Sequence, residues 1–201
     1  MNDTISYEPI DLDALRRKDK TAFAQLVDQF SDQIYRLGLR MLGNQQDAED
    51  ILQETFIKAF EKIEGFKGLS KISTWLYRIA VNEALMLIRK RKGIILSIDA
   101  DNETGQDDLL PRQIVDWCCL PEKELLSTET RHHIREAIGD LSTANRAVFL
   151  LRDVEGLSTR ETAEILEISE SAVKVRLMRA RMQLREDLTG YFTPRIPKEL
   201  L

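Results

Sequence analysis

Apolar side chains recur at spacings of three and four along the first half of the chain, which predicts amphipathic helices. The clearest stripe covers Ala22–Leu42, and Gly43 and Asn44 after it suit a helix end because both tolerate left-handed backbone. A second stripe predicts a helix over Gln46–Ile63. A third predicted helix follows Ser73, which is placed as its N-cap. The pattern therefore predicts a first block of three long helices.

The second half of the chain also has apolar residues at helical spacing, but it follows a stretch in which the apolar residues show no such periodicity. Residues 94–124 are acidic and contain Pro111 and Pro121, which indicates a linker. The sequence thus predicts an all-α fold with two small helical domains joined by an acidic flexible linker. The predicted divisions are an acidic N-terminal tail (1–13), a first domain (14–93), the linker (94–124), a second domain (125–190) and a C-terminal tail (191–201). Helices are expected in the second domain over Leu125–Ile138, Thr143–Arg152, Thr159–Leu166 and Glu170–Leu188.

The charge distribution is more informative than the net charge of −5. Residues 14–93 carry +5, residues 94–125 carry −6, and residues 126–201 are neutral. No apolar run approaches the length of about 20 residues that a membrane helix needs. The acidic N-terminus has none of the features of a signal peptide. We expect a protein of the cytoplasm whose first domain is basic.

Metal-binding and redox chemistry have few candidate residues. Cys118 and Cys119 are adjacent, as are His132 and His133, and neither spacing is typical of a zinc site. Two thiols also make no disulfide framework. We therefore predict no cofactor and no enzyme active site built on these residues. A redox or metal role for the cysteines remains an alternative.

A helix-turn-helix is the strongest local signal. Ser158 and Glu161 form the pattern of a capping box, Ala163 allows close helix approach, and Ser169 is placed to cap the second helix. That helix has one apolar stripe, and its other faces carry Lys174, Arg176, Arg179, Arg181 and Arg185. Such a basic second helix suits phosphate contacts in DNA. The alternative is an amphipathic helical hairpin whose basic face is simply solvated.

Two groups of motifs resemble the bacterial sigma factors, most closely their compact extracytoplasmic-function group. The first group, which resembles sigma region 2, is Asp50-Ile-Leu-Gln-Glu54-Thr-Phe56-Ile-Lys-Ala-Phe60, Phe66-Lys-Gly68 and Ser73-Thr-Trp75-Leu-Tyr-Arg78-Ile-Ala-Val-Asn82. The second, which resembles region 4, is Leu141-Ser142, Arg152, Glu155-Gly156-Leu157-Ser158, Glu161-Thr-Ala163 and the basic helix. The resemblance covers most of residues 14–190 apart from the linker. It implies an alternative sigma factor that binds core RNA polymerase and directs promoter-specific initiation.

The resemblance implies a polymerase-binding face on the second helix of the first domain. Its residues would dock on the clamp helices of the large polymerase subunit, and the flap of the polymerase is a further implied contact. The implied docking residues are Asp50, Gln53, Glu54, Phe56 and Ile57. The alternative is a solvated acidic face with Phe56 in the core.

The resemblance also implies that the loop Gly65–Ile72 and the following helix hold the melted −10 element. The roles expected are stacking surfaces from Phe66, Trp75 and Tyr77, phosphate contacts from Lys67, Lys71, Arg78 and Lys90, and a base-edge contact from Asn82. A core position for Trp75 is the alternative. The chain departs from the family at Met86 and Leu87, near a position that is often acidic.

For the −35 element, the resemblance assigns residues of the basic helix. These are Ser171, Lys174, Val175, Arg176, Arg179 and Arg181, with Val175 suited to a thymine methyl group. Promoter DNA, core RNA polymerase and an anti-sigma factor are the implied partners. A stand-alone helix-turn-helix regulator with a helical interaction domain is the alternative function.

Overall fold

A computed structural model describes residues 10–92 and 128–192, and every regular element in these two ranges is helical. The main division between its two compact units falls between Lys92 and Gly93. The predicted linker, its apolar run Ile94–Ile98, and Cys118 and Cys119 lie outside the described residues. The first unit has four α-helices: α1 (Leu12–Arg16), α2 (Lys20–Leu42), α3 (Gln45–Lys62) and α4 (Ile72–Lys92). The described residues 128–192, called the second unit below, contain α5 (Thr128–Asp140), α6 (Thr143–Phe149), α7 (Thr159–Leu166) and α8 (Glu170–Phe192).

Helices α2, α3 and α4 of the first unit pack against one another. The turn between α2 and α3 follows the predicted chemistry, because Gly43 is left-handed with φ of 71° and the Asn44 side chain accepts a bond from the Asp47 amide. Close packing here depends on Gly38, because a Cβ added at this position would lie 3.4 Å from Ala48 Cα. The stripes therefore produce the predicted three-helix core, which includes Leu26, Phe30, Ile34, Leu37, Met41, Ile51, Ala59, Leu76 and Ala80.

Two features of the first unit differ from the sequence prediction. Helix α4 begins at Ile72, and the Trp75 amide donates to the Lys71 carbonyl at 3.1 Å, so Ser73 lies inside the helix and is not its cap. The short helix α1 was not predicted. Asp11 caps it, and it ends in a Schellman turn in which the Asp19 amide donates to the Ala14 carbonyl at 3.0 Å. The expected acidic tail is thus helical from Leu12 onward.

In the second unit, α8 supplies the apolar stripe that was predicted from its spacing. Val173, Leu177, Ala180, Leu184 and Leu188 are all buried. The helix continues to Phe192, four residues beyond the prediction, because the buried Phe192 ring packs in a cluster with α5. The long helix is therefore held along its whole length by the core of its own unit.

Helix α6 ends earlier than predicted, in a wide π-type turn over Leu150–Val154. The Glu155 amide donates to the Leu150 carbonyl at 2.9 Å, and the Leu157 amide donates to the Leu151 carbonyl at 3.0 Å. The Arg152 guanidinium also donates to the Leu157 carbonyl. These bonds close the turn and fix the point at which the helix-turn-helix begins.

Candidate functional site

The outer face of α3 carries four of the five residues expected to dock on the polymerase. Asp50 and Gln53 are exposed, Glu54 is partly exposed, and Ile57 has 53% of its side chain exposed. Phe56 differs, because it is only 8% exposed and its ring meets Phe23 edge-on at 6.4 Å. The expectation of a surface role for Phe56 is therefore wrong in this structure, and the alternative of a core position holds.

Phe60 extends the apolar part of this face, which the sequence analysis missed. Its place in the apolar stripe of the helix predicts a buried ring, but it is 37% exposed. The ring packs edge-on against Phe23 at 5.0 Å, and the Lys18 ammonium lies 5.5 Å from its centre. Phe60 lies three residues after Ile57, and this spacing, which places both side chains on one helix face, was the signal in the sequence.

A charged network joins α3 to α4 beside this face. The Lys58 ammonium lies 2.6 Å from a Glu83 carboxylate oxygen and 3.1 Å from one of Glu54. The hydrogen bond that Lys58 donates to Glu83, and after it the one to Glu54, raises the pKa of Lys58. Glu54 is thus partly neutralised within its own unit. The Asp50 carboxylate lies on the surface, where it accepts a 3.4 Å bond from Gln46 and attracts the Arg91 guanidinium.

Two aromatic residues expected to stack on bases lie in the core of the first unit. Phe66 is 6% exposed, and the Tyr77 hydroxyl donates to the Gln33 side chain at 3.3 Å inside the packed helices. Neither ring offers an exposed stacking surface, so that expectation is corrected. Trp75 is half-buried, with its ring 5.2 Å from that of Phe66. Trp75 therefore agrees in part with the core position and in part with the stacking role, because its ring packs against Phe66 while some of the side chain stays accessible to solvent.

The remaining residues of the expected −10 surface are accessible. Lys67, Lys71 and Lys90 are exposed, and Arg78 and Asn82 are half-buried on α4. Two apolar side chains lie among them. Leu69 is 90% exposed at the tip of the loop, and Met86 is 56% exposed one turn after Asn82. The sequence analysis did not single out Leu69, although an apolar residue between two lysines of a glycine loop is a signal of exposure.

The helix-turn-helix has the caps that the sequence predicted. The Ser158 hydroxyl accepts from the Glu161 amide at 3.1 Å, while the Glu161 carboxylate accepts from the Ser158 amide at 2.8 Å. The Ser169 hydroxyl accepts from the Ala172 amide at 3.1 Å and so caps α8. Glu167 takes the left-handed conformation in the turn, with φ of 56°. The capping box and the turn are therefore confirmed.

The expected −35 residues occupy the outer side of α8. Ser171, Lys174, Val175 and Arg179 are exposed, and Arg176 is half-buried. Arg181 is exposed but paired, since its guanidinium donates two bonds to the Asp153 carboxylate at 2.7 and 2.8 Å. That carboxylate raises the pKa of Arg181. The sequence analysis missed both this pair and the exposed apolar side chains that extend the stripe from Val175, which are Met178 and Met182.

The described ranges 10–92 and 128–192 contain neither a metal cluster nor a membrane span. No group of three or more His, Cys, Asp or Glu residues there is arranged to hold a metal ion. His132 and His133 each contact Glu136, at 3.2 and 3.6 Å. Within the same ranges, no helix is long and apolar enough to cross a membrane.

Family models place this chain among the sigma-70 proteins. The model of sigma-70 region 2 matches residues 26–94, and a model of sigma-70 region 4 matches residues 131–184. The chain is 41% identical over 174 residues to the ECF RNA polymerase sigma factor SigW of Bacillus subtilis, a match that covers 87% of this chain and 92% of that protein. It therefore belongs to the ECF RNA polymerase sigma factors.

A second relative agrees with this family, and two solved structures share the fold. The ECF RNA polymerase sigma-E factor of Haemophilus influenzae is 34% identical over 182 residues, which are 88% of this chain and 93% of that protein. CnrH, in complex with the cytosolic domain of CnrY, matches with a TM-score of 0.64 and 22% identity over 89% of this chain and 95% of that one. RpoE of Bartonella quintana, in complex with the anti-sigma factor NepR, matches with a TM-score of 0.60 and 23% identity. This match covers 83% of this chain and 96% of that one. These two structures show a shared fold.

Proposed function

We propose that this chain is an alternative sigma factor that binds core RNA polymerase and directs promoter-specific initiation of transcription. The observation that carries the proposal is the presence of both sigma region 2 and sigma region 4 in one chain. The polymerase supplies the catalysis, and the sigma factor supplies recognition. Such a protein acts where the polymerase is, in the cytoplasm.

The polymerase-binding face of the proposal is the outer side of α3. Asp50 and Gln53 present polar groups, and Ile57 and Phe60 present an apolar patch beside them. A surface of this mixed kind suits an amphipathic, basic partner helix, because apolar contact and charge complementarity act together. We assign this face to the clamp helices of the large subunit, and the second unit to the flap.

The two DNA-binding surfaces of the proposal lie on different units. The melted −10 element is assigned to Lys67, Lys71, Arg78, Asn82 and Lys90, with the accessible part of Trp75 as the stacking surface. The −35 element is assigned to the exposed side of α8, where basic side chains hold phosphates and Val175 suits a thymine methyl group. The −35 residues are Ser171, Lys174, Val175, Arg176, Arg179 and Arg181.

Control by an anti-sigma factor is part of the proposal. The support is the Bartonella protein of the same fold, which was solved with the anti-sigma factor NepR. An inhibitor that covers the exposed α3 face would prevent polymerase binding, since a helix face cannot hold two partners at once.

The test is run-off transcription with purified core polymerase on a promoter library. The full chain is expected to confer promoter-dependent initiation, while the free chain binds the same DNA weakly. Tight, sequence-specific DNA binding without polymerase, and no initiation with it, would instead support the stand-alone regulator. Nothing observed in the described residues favours that alternative.

A single substitution tests the polymerase face directly. Ile57→Asp places a charge in the centre of the apolar patch and is expected to weaken core polymerase binding at least tenfold, about 1.4 kcal/mol. Because Ile57 is exposed, the unfolding midpoint should barely change. Gln25→Asp, at an exposed position of α2, is the matched control and should bind normally. Equal binding by both variants would remove Ile57 from the interface.

A further inference from the structure

Helix α1 is bonded to the loop that follows α3, although the two are far apart in sequence. The Arg16 guanidinium donates from Nε to the Phe66 carbonyl at 3.0 Å, in a partly buried position. Its Nη1 donates to the Asp13 carboxylate at 2.9 Å, which holds the guanidinium in place. Leu15 and Ile63 are both fully buried where α1 contacts the turn that begins the loop. One side chain of α1 thus fixes a backbone group of the loop.

Two other observations place α1 and the residues after it next to the start of the loop and to Gly68. Lys18, directly after α1, pairs with the Glu64 carboxylate at 3.0 Å. Gly68 is left-handed with φ of 72°, and a Cβ at this position would lie 3.5 Å from Arg16 Nη2. The loop backbone therefore lies near the Arg16 guanidinium at Gly68, in addition to the hydrogen bond at the Phe66 carbonyl.

The loop that Arg16 contacts also carries several exposed side chains. The Phe66 ring points inward and packs on Trp75, while Lys67, Leu69 and Lys71 are exposed. These exposed positions belong to the loop assigned above to the melted −10 element. A hydrogen bond to the carbonyl of Phe66 thus controls the backbone that orients the very next residue, Lys67.

We propose that Arg16 is a positioning residue for recognition of the −10 element. It holds the loop in its DNA-binding conformation before DNA arrives, so that less conformational entropy is lost on binding and a wrong base cannot be accommodated by loop movement. The proposal rests on the sigma function proposed above. It assigns no DNA contact to Arg16, which acts through the loop.

The experiment compares Arg16→Ala with Arg17→Ala in holoenzyme made from the full chain and core polymerase. Arg17 is an exposed neighbour, so its substitution removes the same charge. The measurement is open-complex formation on promoters that share one −35 element and differ at single −10 positions. The readout is the ratio between the best −10 sequence and its variants, which a general loss of folded protein does not change.

Arg16→Ala is expected to reduce this ratio about tenfold at the most selective position, while Arg17→Ala leaves it unchanged. Polymerase affinity and binding to a −35 fragment should stay within about twofold of the original protein. Asp13→Asn removes the negative charge that anchors the guanidinium but keeps an acceptor oxygen, so it should give a smaller loss of about two- to threefold. This variant replaces Arg16→Ala in the test if Arg16→Ala does not fold.

Two results would overturn the role of Arg16. One is an unchanged −10 ratio in both Arg16→Ala and Asp13→Asn. The other is a loss that is uniform over all promoters and accompanied by weaker polymerase binding, which would indicate a purely structural residue. If the original chain itself gives no promoter-dependent initiation, the sigma function fails first, independently of these variants.

Discussion

The pair between Arg181 and Asp153 makes a specific prediction about DNA affinity. Arg181 lies on the assigned −35 surface, but its guanidinium is held by two bonds to a carboxylate of its own unit. Asp153→Ala removes that carboxylate and releases the guanidinium. We therefore expect Asp153→Ala to bind −35 DNA more tightly than the original protein, although the substitution adds no new contact group.

The magnitude follows from the exposure of the pair. The Arg181 side chain is 58% exposed and that of Asp153 is 22% exposed, so water screens the interaction. Exposed pairs contribute about 0.2–1 kcal/mol, and the two-pronged geometry places this pair near the upper value. Release of Arg181 should then increase affinity up to about fivefold. One additional phosphate contact should also make the slope of log affinity against log salt steeper by about 0.9.

The assay is titration of holoenzyme, with full-length sigma chain, against a duplex that carries only the −35 element. Fluorescence anisotropy at several salt concentrations gives both the affinity and the slope. Removing any acidic residue near DNA also favours binding, so charge alone must be separated from release of the guanidinium. A double-mutant cycle with Arg181→Ala makes this separation.

The reasoning predicts that the gain from Asp153→Ala disappears when Arg181 is already alanine. A gain of the same size in the Arg181→Ala background would refute it, because the effect would then be general electrostatics. Unchanged affinity of Asp153→Ala for −35 DNA would also refute the reasoning, because it would show that the released Arg181 does not contact the −35 element.

Two other predictions concern the stability of the second unit. Ser158→Ala removes one half of the capping box with Glu161 and should lower the free energy of unfolding by about 1 kcal/mol in chemical denaturation, while Ser158→Asp retains an acceptor and should stay close to the original value; equal losses in both would contradict a capping role. Burial, together with the carboxylates of Asp140 and Glu186, raises the pKa of Asp187. Asp187 then holds its proton more tightly in the folded state than in the unfolded state, so the ionised carboxylate opposes folding at neutral pH. The free energy of unfolding therefore falls as the pH rises from the ordinary pKa of 3.8 through the raised pKa of the folded state. Because Asp187 is exposed and water screens these interactions, Asp187→Asn should stabilise the protein at pH 7 by no more than about 0.5 kcal/mol. The gain should vanish below the ordinary pKa of 3.8; a gain that persists there would exclude this cause.

The sequence by itself determined the helices and the helix-turn-helix. The signals for these features are local, since stripes repeat every three to four residues and a cap acts on an amide two or three positions away. The range Thr159–Leu166 was predicted to the residue, and the capping box of Ser158 and Glu161 formed as expected. The shorter α6 was missed because the following wide turn depends on packing around it.

The tertiary structure decided which side chains of each candidate site are accessible. Phe56, Phe66 and Tyr77 have the residue types of an interface, but neighbouring helices bury them. Sequence spacing places a residue on a helix face, and it does not reveal which faces the other helices cover. Leu69 and Met178 show the opposite, because they have residue types typical of a core but are exposed in the structure.

The tertiary structure alone also decided which charged groups are paired. Arg16 and the Phe66 carbonyl are 50 positions apart, and Arg181 and Asp153 are 28 apart. No local pattern encodes such contacts, because they exist only when distant segments pack together. The sequence thus determined that this chain has two helical modules and a helix-turn-helix, while packing determined how the loop after α3 is held and that Arg181 is paired with Asp153.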